Sequence, residues 1–581
     1  MNSTVQLSST VKKPLANVAC ERNARLLASV CLLYGALLFG HVATAQTDAS
    51  RVTPRDLRPD TDAPMPSIDQ NAIRDSQVDD LPPEAAELSV VLEDVEVSGG
   101  FPELAAATER FIEPFRGRRS TVNELYSLAS ALEQLYSQQG YFLARVTIPP
   151  QDVRDGGTVR FLVIDGYLDS INVDALPARQ RAAVVRRLQH LLHQPQLQNS
   201  DIERAVILAS RTPGLQIRST LVAGSEPGST VLVLEGDYTP IAGSYSADNR
   251  LSDELGPWQS TLQLQLNQVL GRGEQIYAYV SGDPDPAVLL KGDSARNVVG
   301  GGISWPLGGH GTALNLEFSS SDTMMEYDNI WIPDSRSRFD RATVRFTMPL
   351  HVRRDTEWTV SGLFEASRQV NDLPDFDYQL YRDELRVVRA NISARHLLSQ
   401  RSQLSSFLQI SQGLTQGART RADVEATGIP FSRPGARPDF TKLDAMLDWR
   451  FLAGAGWELN STLRAQHAFD APLPSAELFS LDGDNAISSV ESGRLAADSG
   501  VTARSEISRE ITVWNSRLWM IPYAYIAGGV PTNIPGHTTA AGLGLRALGG
   551  PVQLFVEYGH SHSSPAGRSG NEMFARIQMV F

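Results

Sequence analysis

The chain has 581 residues and a formal net charge of -14, and 20% of its residues are charged. This acidic balance argues against nucleic acid as a partner, because phosphate binding needs a basic surface. Both cysteines, Cys20 and Cys31, lie close to the amino terminus. Disulfides, zinc-thiolate sites and cysteine nucleophiles are therefore not expected in the remainder of the chain.

A secretory signal is predicted over residues 1–45. Basic residues precede an apolar run from Leu26 to Phe39, and Ala43-Thr44-Ala45 matches the small-x-small cleavage pattern. The alternative is a membrane anchor, but the run is short for a spanning helix. No other stretch of the sequence approaches the length of a transmembrane helix, so a chain that crosses a membrane must do so as a closed barrel.

The last ten residues of the chain, EMFARIQMVF, predict a β-strand with one apolar face. Side chains alternate along a strand, which places five apolar residues on one side: Met573, Ala575, Ile577, Met579 and Phe581. Such alternation is typical of the closing strand of an outer-membrane β-barrel, with Phe581 as its C-terminal assembly signal. The alternative is a C-terminal strand of a soluble sandwich.

Residues 46–87 are rich in proline and aspartate and predict a linker, within which Ser67–Val78 could form a short helix. Two α/β units follow, at residues 88–166 and 167–238. In the first, Thr121 and Glu124 predict a capping box that opens a helix. In the second, Ser200 and Glu203 predict another, opening the helix 201–211.

The strands predicted in these units are 88–99, 141–149 and 158–166 in the first, and 167–175, 215–222 and 230–237 in the second. A further helix is predicted over about residues 178–193. The β-α-α-β-β order of each unit resembles the POTRA domain, a periplasmic polypeptide-binding module.

Residues 239–581 consist largely of alternating, strand-like sequence with turn signals between the strands. Examples are the segments 261–269 and 275–282, and the hairpin of 540–548 with 552–559. The expected fold class is therefore α+β periplasmic POTRA domains followed by a transmembrane antiparallel β-barrel.

Short motifs in the second unit make the resemblance more specific. Leu197, the run 201–205 and the run 212–215 resemble the "pL…lEra…lPG" pattern of the TpsB transporters of two-partner secretion, the ShlB/FhaC/HecB family. Asp248-Asn249 and residues 270–273 resemble the start of the TpsB barrel, although Glu274 replaces the usual aspartate. The resemblance covers residues 88–581 and implies a barrel of 16 strands.

In this superfamily a long loop folds into the barrel and carries a VRGF or VRGY motif. The flanks of that loop, including Asp498 and Gly500, resemble those of the family. Counting back from Gly500 places the motif itself at four residues of this chain: Ile487, Ser488, Ser489 and Val490. Serine therefore stands where the resemblance implies arginine and glycine.

The barrel-wall motif, FxDxG in the family, aligns with Tyr525, Ala527 and Gly529, so alanine replaces the aspartate that would pair with the loop arginine. Losing both members of a buried ion pair costs far less than losing one, which would leave an uncompensated charge. The double loss predicts a loop held by neutral contacts. A shifted alignment is the alternative, with Glu491 or Arg494 in the polar role.

The resemblance implies an outer-membrane protein translocase that binds an unfolded secreted exoprotein through its POTRA domains and exports it through the barrel. The other implied partners are outer-membrane lipid, lipopolysaccharide and, during biogenesis, the barrel assembly machinery. A monomer is expected. Catalytic, cofactor and metal residues are not expected, because no GxSxG, HExxH or P-loop motif occurs. The alternatives are a barrel assembly factor or insertase of the same superfamily, and a passive porin or receptor.

Overall fold

The computed structural model describes residues 88–581 except residues 293, 328–330, 471, 514–516, 533 and 565–566. It also describes the backbone of a two-residue strand, β1 (Ile68–Asp69). The predicted signal, and the predicted linker apart from these two residues, lie outside the described residues. Ile68 and Asp69 form a strand where the sequence predicts the start of a short helix, and the rest of that helix lies outside the described residues.

The first α/β unit is a four-stranded sheet covered by two helices. Its elements are β2 (Ser89–Ser98), α1 (Ala105–Ile112), β3 (Arg119–Thr121), α2 (Val122–Gln138), β4 (Arg145–Thr147) and β5 (Gly157–Ile164). The strand order is β3-β2-β5-β4. The predicted capping box is present, because the Thr121 hydroxyl accepts from the Glu124 N–H and the Glu124 carboxylate accepts from the Thr121 N–H. Helix α1 and strand β3 were missed by the sequence analysis.

The second α/β unit repeats this architecture. Its elements are β6 (Tyr167–Ala175), α3 (Ala178–Leu188), α4 (Asn199–Ser210), β7 (Leu215–Ala223) and β8 (Ser229–Tyr238). The strand order is β1-β7-β8-β6, with β1 parallel to β7 through Ile68 opposite Ser219. The capping box predicted at Ser200 was wrong, because α4 starts two residues earlier and the Ser200 hydroxyl bonds to the side chain of Gln198 instead.

The remaining strands close into an antiparallel barrel in which β9 pairs with both β10 and β27. They are β9 (Ile241–Asp248), β10 (Gln259–Asn267), β11 (Gln275–Gly282), β12 (Arg296–Leu307), β13 (Thr312–Met325), β14 (Ser335–Val352), β15 (Thr356–Leu373), β16 (Tyr378–Ser399), β17 (Ser402–Gly413), β18 (Thr441–Gly454), β19 (Trp457–Ala468), β22 (Gly500–Arg509), β23 (Ile511–Val513), β24 (Leu518–Pro531), β25 (His537–Gly549), β26 (Val552–Ser564) and β27 (Arg568–Val580). Because β22 and β23 both pair with β24, they are two parts of one wall strand and the barrel has 16 strands. The predicted fold class is confirmed.

Two short α-helices and one pair of short strands lie between the wall strands in the part of the chain that the structure describes. They are the helices α5 (Pro286–Lys291) and α6 (Arg421–Thr427) and the paired strands β20 (Phe479–Ser480) and β21 (Ala496–Ala497). No helix in the described ranges is long and apolar enough to cross a bilayer.

The wall strands alternate between an apolar outer face and a polar inner face. On β14, the exposed residues Val344, Phe346 and Met348 alternate with polar residues that face inward, and Ser337 and Arg341 farther along the strand are buried. Lipid-facing and lumen-facing residues alternate in this way in transmembrane barrels. The outer side chains therefore give the barrel an apolar outer surface.

The second α/β unit packs against the turns at one end of the barrel. Arg211, just after α4, pairs with Glu357 of β15 at 2.6 Å. The Gln268 side-chain amide, in the turn after β10, donates to the Pro213 carbonyl at 2.8 Å. Burial raises the pKa of Glu203 on α4, which faces the turn after β14. These contacts attach the second α/β unit to the barrel end that holds both chain termini of the wall.

Glu274, which replaces the aspartate of the family pattern, has a local structural role. Its carboxylate is fully buried and accepts the backbone N–H groups of Leu270 and Arg272. These two hydrogen bonds close the turn between β10 and β11. Glu274 thus provides an acceptor for two backbone N–H groups of its own turn.

Candidate functional site

The segment 469–499, between β19 and β22, folds into the barrel lumen. Leu473, Phe479 and Ile487 along this segment are buried. Its side chains contact inward-facing residues of strands distributed around the wall, an arrangement that only a position inside the barrel permits. We call this segment the lumen loop.

The first anchor of the lumen loop is Glu477. Its carboxylate, almost fully buried, pairs with Arg389 of β16 at 2.7 Å and with Lys442 of β18 at 2.9 Å. Arg389 also pairs with Glu365 of β15 at 3.2 Å. A carboxylate held by two buried cations fixes the start of the loop to one side of the wall.

The second anchor is Asp498, which the sequence analysis matched to the exit of the loop. Its carboxylate forms an ion pair with Arg433 and accepts the Leu473 backbone N–H at 2.8 Å. Arg433 lies in the connection between β17 and β18, at the barrel end opposite the α/β units. The exit of the lumen loop is therefore tied to its own entrance and to a neighbouring surface loop.

Ser488, the position at which the resemblance implies arginine, lies at the tip of the lumen loop and is fully buried. Its hydroxyl accepts from a guanidinium nitrogen of Arg504 on β22, and its carbonyl accepts from Arg250 at 3.3 Å. The prediction that neutral contacts hold this loop was wrong. Arg504 of β22 and Arg250, just after β9, both bind the serine that stands where the resemblance implies arginine.

The wall residues matched by sequence lie directly beneath this tip. Ala527 is the cross-strand partner of Arg504 in the β22–β24 ladder. The Tyr525 ring lies 3.8 Å from the Arg504 guanidinium. A Cβ added at Gly529 would lie 2.9 Å from Ile487 Cδ1, so the loop packs closely against this glycine. The structure therefore brings the two degenerate motifs together.

The other loop residues singled out by sequence lie around this contact. Val490 packs with the cluster that contains Ile487 and Ala527, and Gly500 is the first residue of β22. Glu491 and Arg494, the alternative polar residues, pair with each other at 2.6 Å. Ser489 is buried beneath the tip.

Sequence reasoning missed two residues that complete the site, Arg504 and Glu557. Arg504 also pairs with Glu557 of β26 at 2.9 Å and with Glu506 at 3.3 Å. Glu557 accepts from the Tyr523 hydroxyl at 2.8 Å. Arg504 and Glu557 are far apart in the sequence, and their strands are linked only through β24 and β25, so their inward alternation was the one signal available.

Phe581 completes the seam between the last strand and the first. Its backbone N–H donates to the Gly243 carbonyl at 2.9 Å, and its carbonyl accepts from the Gly243 N–H at 2.8 Å. A Cβ at Gly243 would lie 2.6 Å from the Phe581 ring, which packs on the glycine. The terminal aromatic residue therefore contacts β9 through backbone and ring.

The chemistry that this arrangement supports is ionic and hydrogen-bonding contact. Among the described residues, no group of three or more His, Cys, Asp or Glu is placed to hold a metal ion. Two α/β units attached to one end of a closed barrel, and a loop tied inside its lumen, define an outer-membrane transporter of the POTRA–barrel class.

Comparisons with known proteins identify the family. Residues 228–546 match the haemolysin secretion/activation protein family ShlB/FhaC/HecB, and residues 90–166 match the ShlB-type POTRA domain. The chain belongs to this family of TpsB transporters. It is an outer-membrane protein with its POTRA domains in the periplasm.

Individual relatives are distant. The heme/hemopexin transporter protein HuxB of Haemophilus influenzae is 19% identical over 475 residues, 77% of this chain and 78% of that protein. The outer membrane transporter CdiB of Dickeya dadantii is 25% identical over 165 residues, 28% of each chain. The structure of CdiB from Escherichia coli has the same fold, with a TM-score of 0.68, 19% identity and coverage of 99% of this chain and 100% of that one.

Proposed function

We propose that this transporter recognises one unfolded secreted exoprotein through its POTRA domains and exports it through the barrel, as in two-partner secretion. The observation that carries the proposal is the attachment of two POTRA units to the periplasmic end of a barrel whose lumen loop is held by side-chain contacts. A polypeptide collected by these units is delivered to the mouth of the lumen.

The edge strand β4 is where the exoprotein adds a strand to the first POTRA sheet. Main-chain hydrogen bonds at a sheet edge give affinity with modest sequence demand, which suits an unfolded passenger. The outward N–H of Val146 donates to the Glu133 carboxylate at 3.2 Å. An incoming strand replaces this side-chain acceptor with a carbonyl. The edge of β7, by contrast, already pairs with β1.

Export requires the lumen loop to move, and its contacts are suited to exchange. The anchors at Glu477, Ser488 and Asp498 are polar, so water or a passing polypeptide can replace each partner. No nucleotide-binding motif occurs in the sequence, and folding of the passenger outside the cell supplies direction in this proposal.

The other proposed partners surround the barrel. Lipid covers the apolar outer face, and lipopolysaccharide meets the charged outer residues Arg336 and Arg338 at the extracellular end of β14. The barrel assembly machinery inserts the protein through the terminal strand that ends in Phe581. The closed wall leaves no strand edge for a second copy, which supports a monomer.

Site-specific photocrosslinking in living cells tests the proposal. A photoreactive amino acid at Thr147 on β4 should crosslink to a large secreted protein encoded beside this chain while that protein is being exported. The same group at Arg218, on the strand whose edge is paired with β1, is the matched control. Unimpaired secretion by a barrel that lacks both POTRA units would refute the assigned role.

A further inference from the structure

The lumen loop of this transporter is anchored by cations of the wall strands and of the connections between them. We propose that Arg504, assisted by Arg250, is the positioning residue that seats the loop tip, with Ser488 as the acceptor. In the family motif, the loop supplies the cation and the wall supplies the acceptor. Here the wall residue Arg504 supplies the cation and the loop residue Ser488 supplies the acceptor. The inference deepens the proposed function, because it names the contact that must break for the lumen to open.

Arg504 is held on several sides. One guanidinium nitrogen donates to the Ser488 hydroxyl, and the other pairs with Glu557 at 2.9 Å and Glu506 at 3.3 Å. The guanidinium also lies over the Tyr525 ring at 3.8 Å. A planar cation with this many partners has little freedom to move. It therefore presents a fixed donor to the loop.

Arg250, just after β9, holds the same tip from another direction. It donates to the Ser488 carbonyl at 3.3 Å and pairs with Asp484 of the loop at 2.8 Å. Its guanidinium lies 4.5 Å from the Phe574 ring of β27. Asp484 also pairs with Arg576 of β27 at 3.0 Å. The loop thus offers oxygen acceptors, and three arginines supply the charge: Arg504 and Arg576 in wall strands and Arg250 just after β9.

Removal of Arg504 should release the tip without unfolding the wall. Glu506 keeps its ion pair with Arg546, and Glu557 keeps the hydroxyl of Tyr523 at 2.8 Å. Glu557, however, loses its ion pair and keeps only a neutral donor, so the variant is expected to be less stable than the parent protein. The Arg504→Gln variant is still expected to form a closed barrel with a detached loop tip.

The reporter is a cysteine at the buried position Ser489, next to the tip. In the full chain with Cys20→Ser and Cys31→Ser, the Ser489→Cys thiol is shielded from maleimide while the loop is seated. Labelling is measured in outer-membrane vesicles, and only the heat-modifiable, folded fraction is counted. Barrels that fail to fold therefore do not contribute to the result.

In this background, Arg504→Gln should raise the labelling rate at least about tenfold, since a charge-assisted hydrogen bond is lost. Arg504→Lys, which keeps the charge and a donor, should raise it less. Ser488→Arg alone should also raise it, because two guanidinium groups then meet. Ser488→Arg combined with Arg504→Ser should restore the parental rate by returning one cation to the junction.

The matched control is Arg341→Gln, which removes another buried lumen arginine. Arg341 pairs with Glu317 at 2.9 Å, and Glu317 keeps the Tyr277 hydroxyl at 2.9 Å after the change. This control should leave labelling unchanged. Equal labelling of the Arg504→Gln and parental proteins, or no rescue by the double variant, would overturn the proposal. The assay needs no passenger, so its outcome is independent of the proposed function.

Discussion

The substitution Ser488→Arg, made to restore the family motif, is expected to destabilise the loop, because the wall already supplies the cation. The new guanidinium would lie beside Arg504, which contacts the Ser488 hydroxyl. Two like charges about 4 Å apart repel by about 4 kcal/mol at an effective dielectric constant of about 20. Glu557 and Glu506 share part of that charge, so the net cost is smaller than this figure.

The second change, Ala527→Asp, should recover part of the loss. Ala527 lies directly opposite Arg504 in the β22–β24 ladder, so its carboxylate would stand beside both cations. Alone, this substitution adds a third carboxylate around one arginine that already has Glu557 and Glu506, and it should not stabilise the protein. Together, the two changes should show a favourable coupling of about 1–3 kcal/mol.

The assay is urea unfolding of the four purified full-length proteins in one detergent, followed by the loss of heat-modifiable mobility. Secretion of the passenger is measured in parallel. A control cycle pairs Ser488→Arg with Asn315→Asp, which places a carboxylate on β13, remote from the loop tip. The effects of these two substitutions on the free energy of unfolding should be additive. If the effects of Ser488→Arg and Ala527→Asp on the free energy of unfolding are also strictly additive, positions 488 and 527 do not interact.

Three further predictions concern other parts of the chain. Thr121→Ala should lower the stability of the first POTRA unit by about 1 kcal/mol through loss of the capping box, measured by denaturation, while Asn123→Ala should have little effect. Phe581→Asp should reduce the heat-modifiable fraction, and an unchanged fraction would exclude a role in assembly. The pKa of Asp94 is lowered by the backbone N–H of the next residue and by Arg116. Its contribution to stability is therefore present above the unfolded-state pKa and is lost as the pH falls through the folded-state pKa, so Asp94→Asn should flatten the acid limb of the stability profile.

Features set by neighbouring residues were predictable from the sequence. The capping box at Thr121 was predicted correctly because both of its partners lie within one helical turn. The alternation of the terminal strand likewise placed Met573 and Ile577 on the exposed face and Phe574 on the buried face. The count of 16 strands came from the family resemblance, since faint strands have no sharp boundaries in the sequence.

Features set by distant residues were not predictable in this way. Arg504 was unremarkable as one polar residue of an alternating strand, and only the pairing of β22, β24, β25 and β26 brings Glu557 beside it. At Ser200 the local pattern favoured a cap, yet the helix starts two residues earlier, with Gln198 before it. Ile68 pairs with Ser219, a partner about 150 positions away, and no local pattern reports such a contact.

The pairing of β1 with β7 also determines which sheet edge a foreign strand can reach. Because β1 belongs to the same chain, it competes for that edge as a tethered ligand with an effective concentration on the order of millimolar. A polypeptide of equal intrinsic affinity at roughly micromolar concentration would be outcompeted about a thousandfold. Self-occupancy thus protects this edge from chance association with other chains in the periplasm.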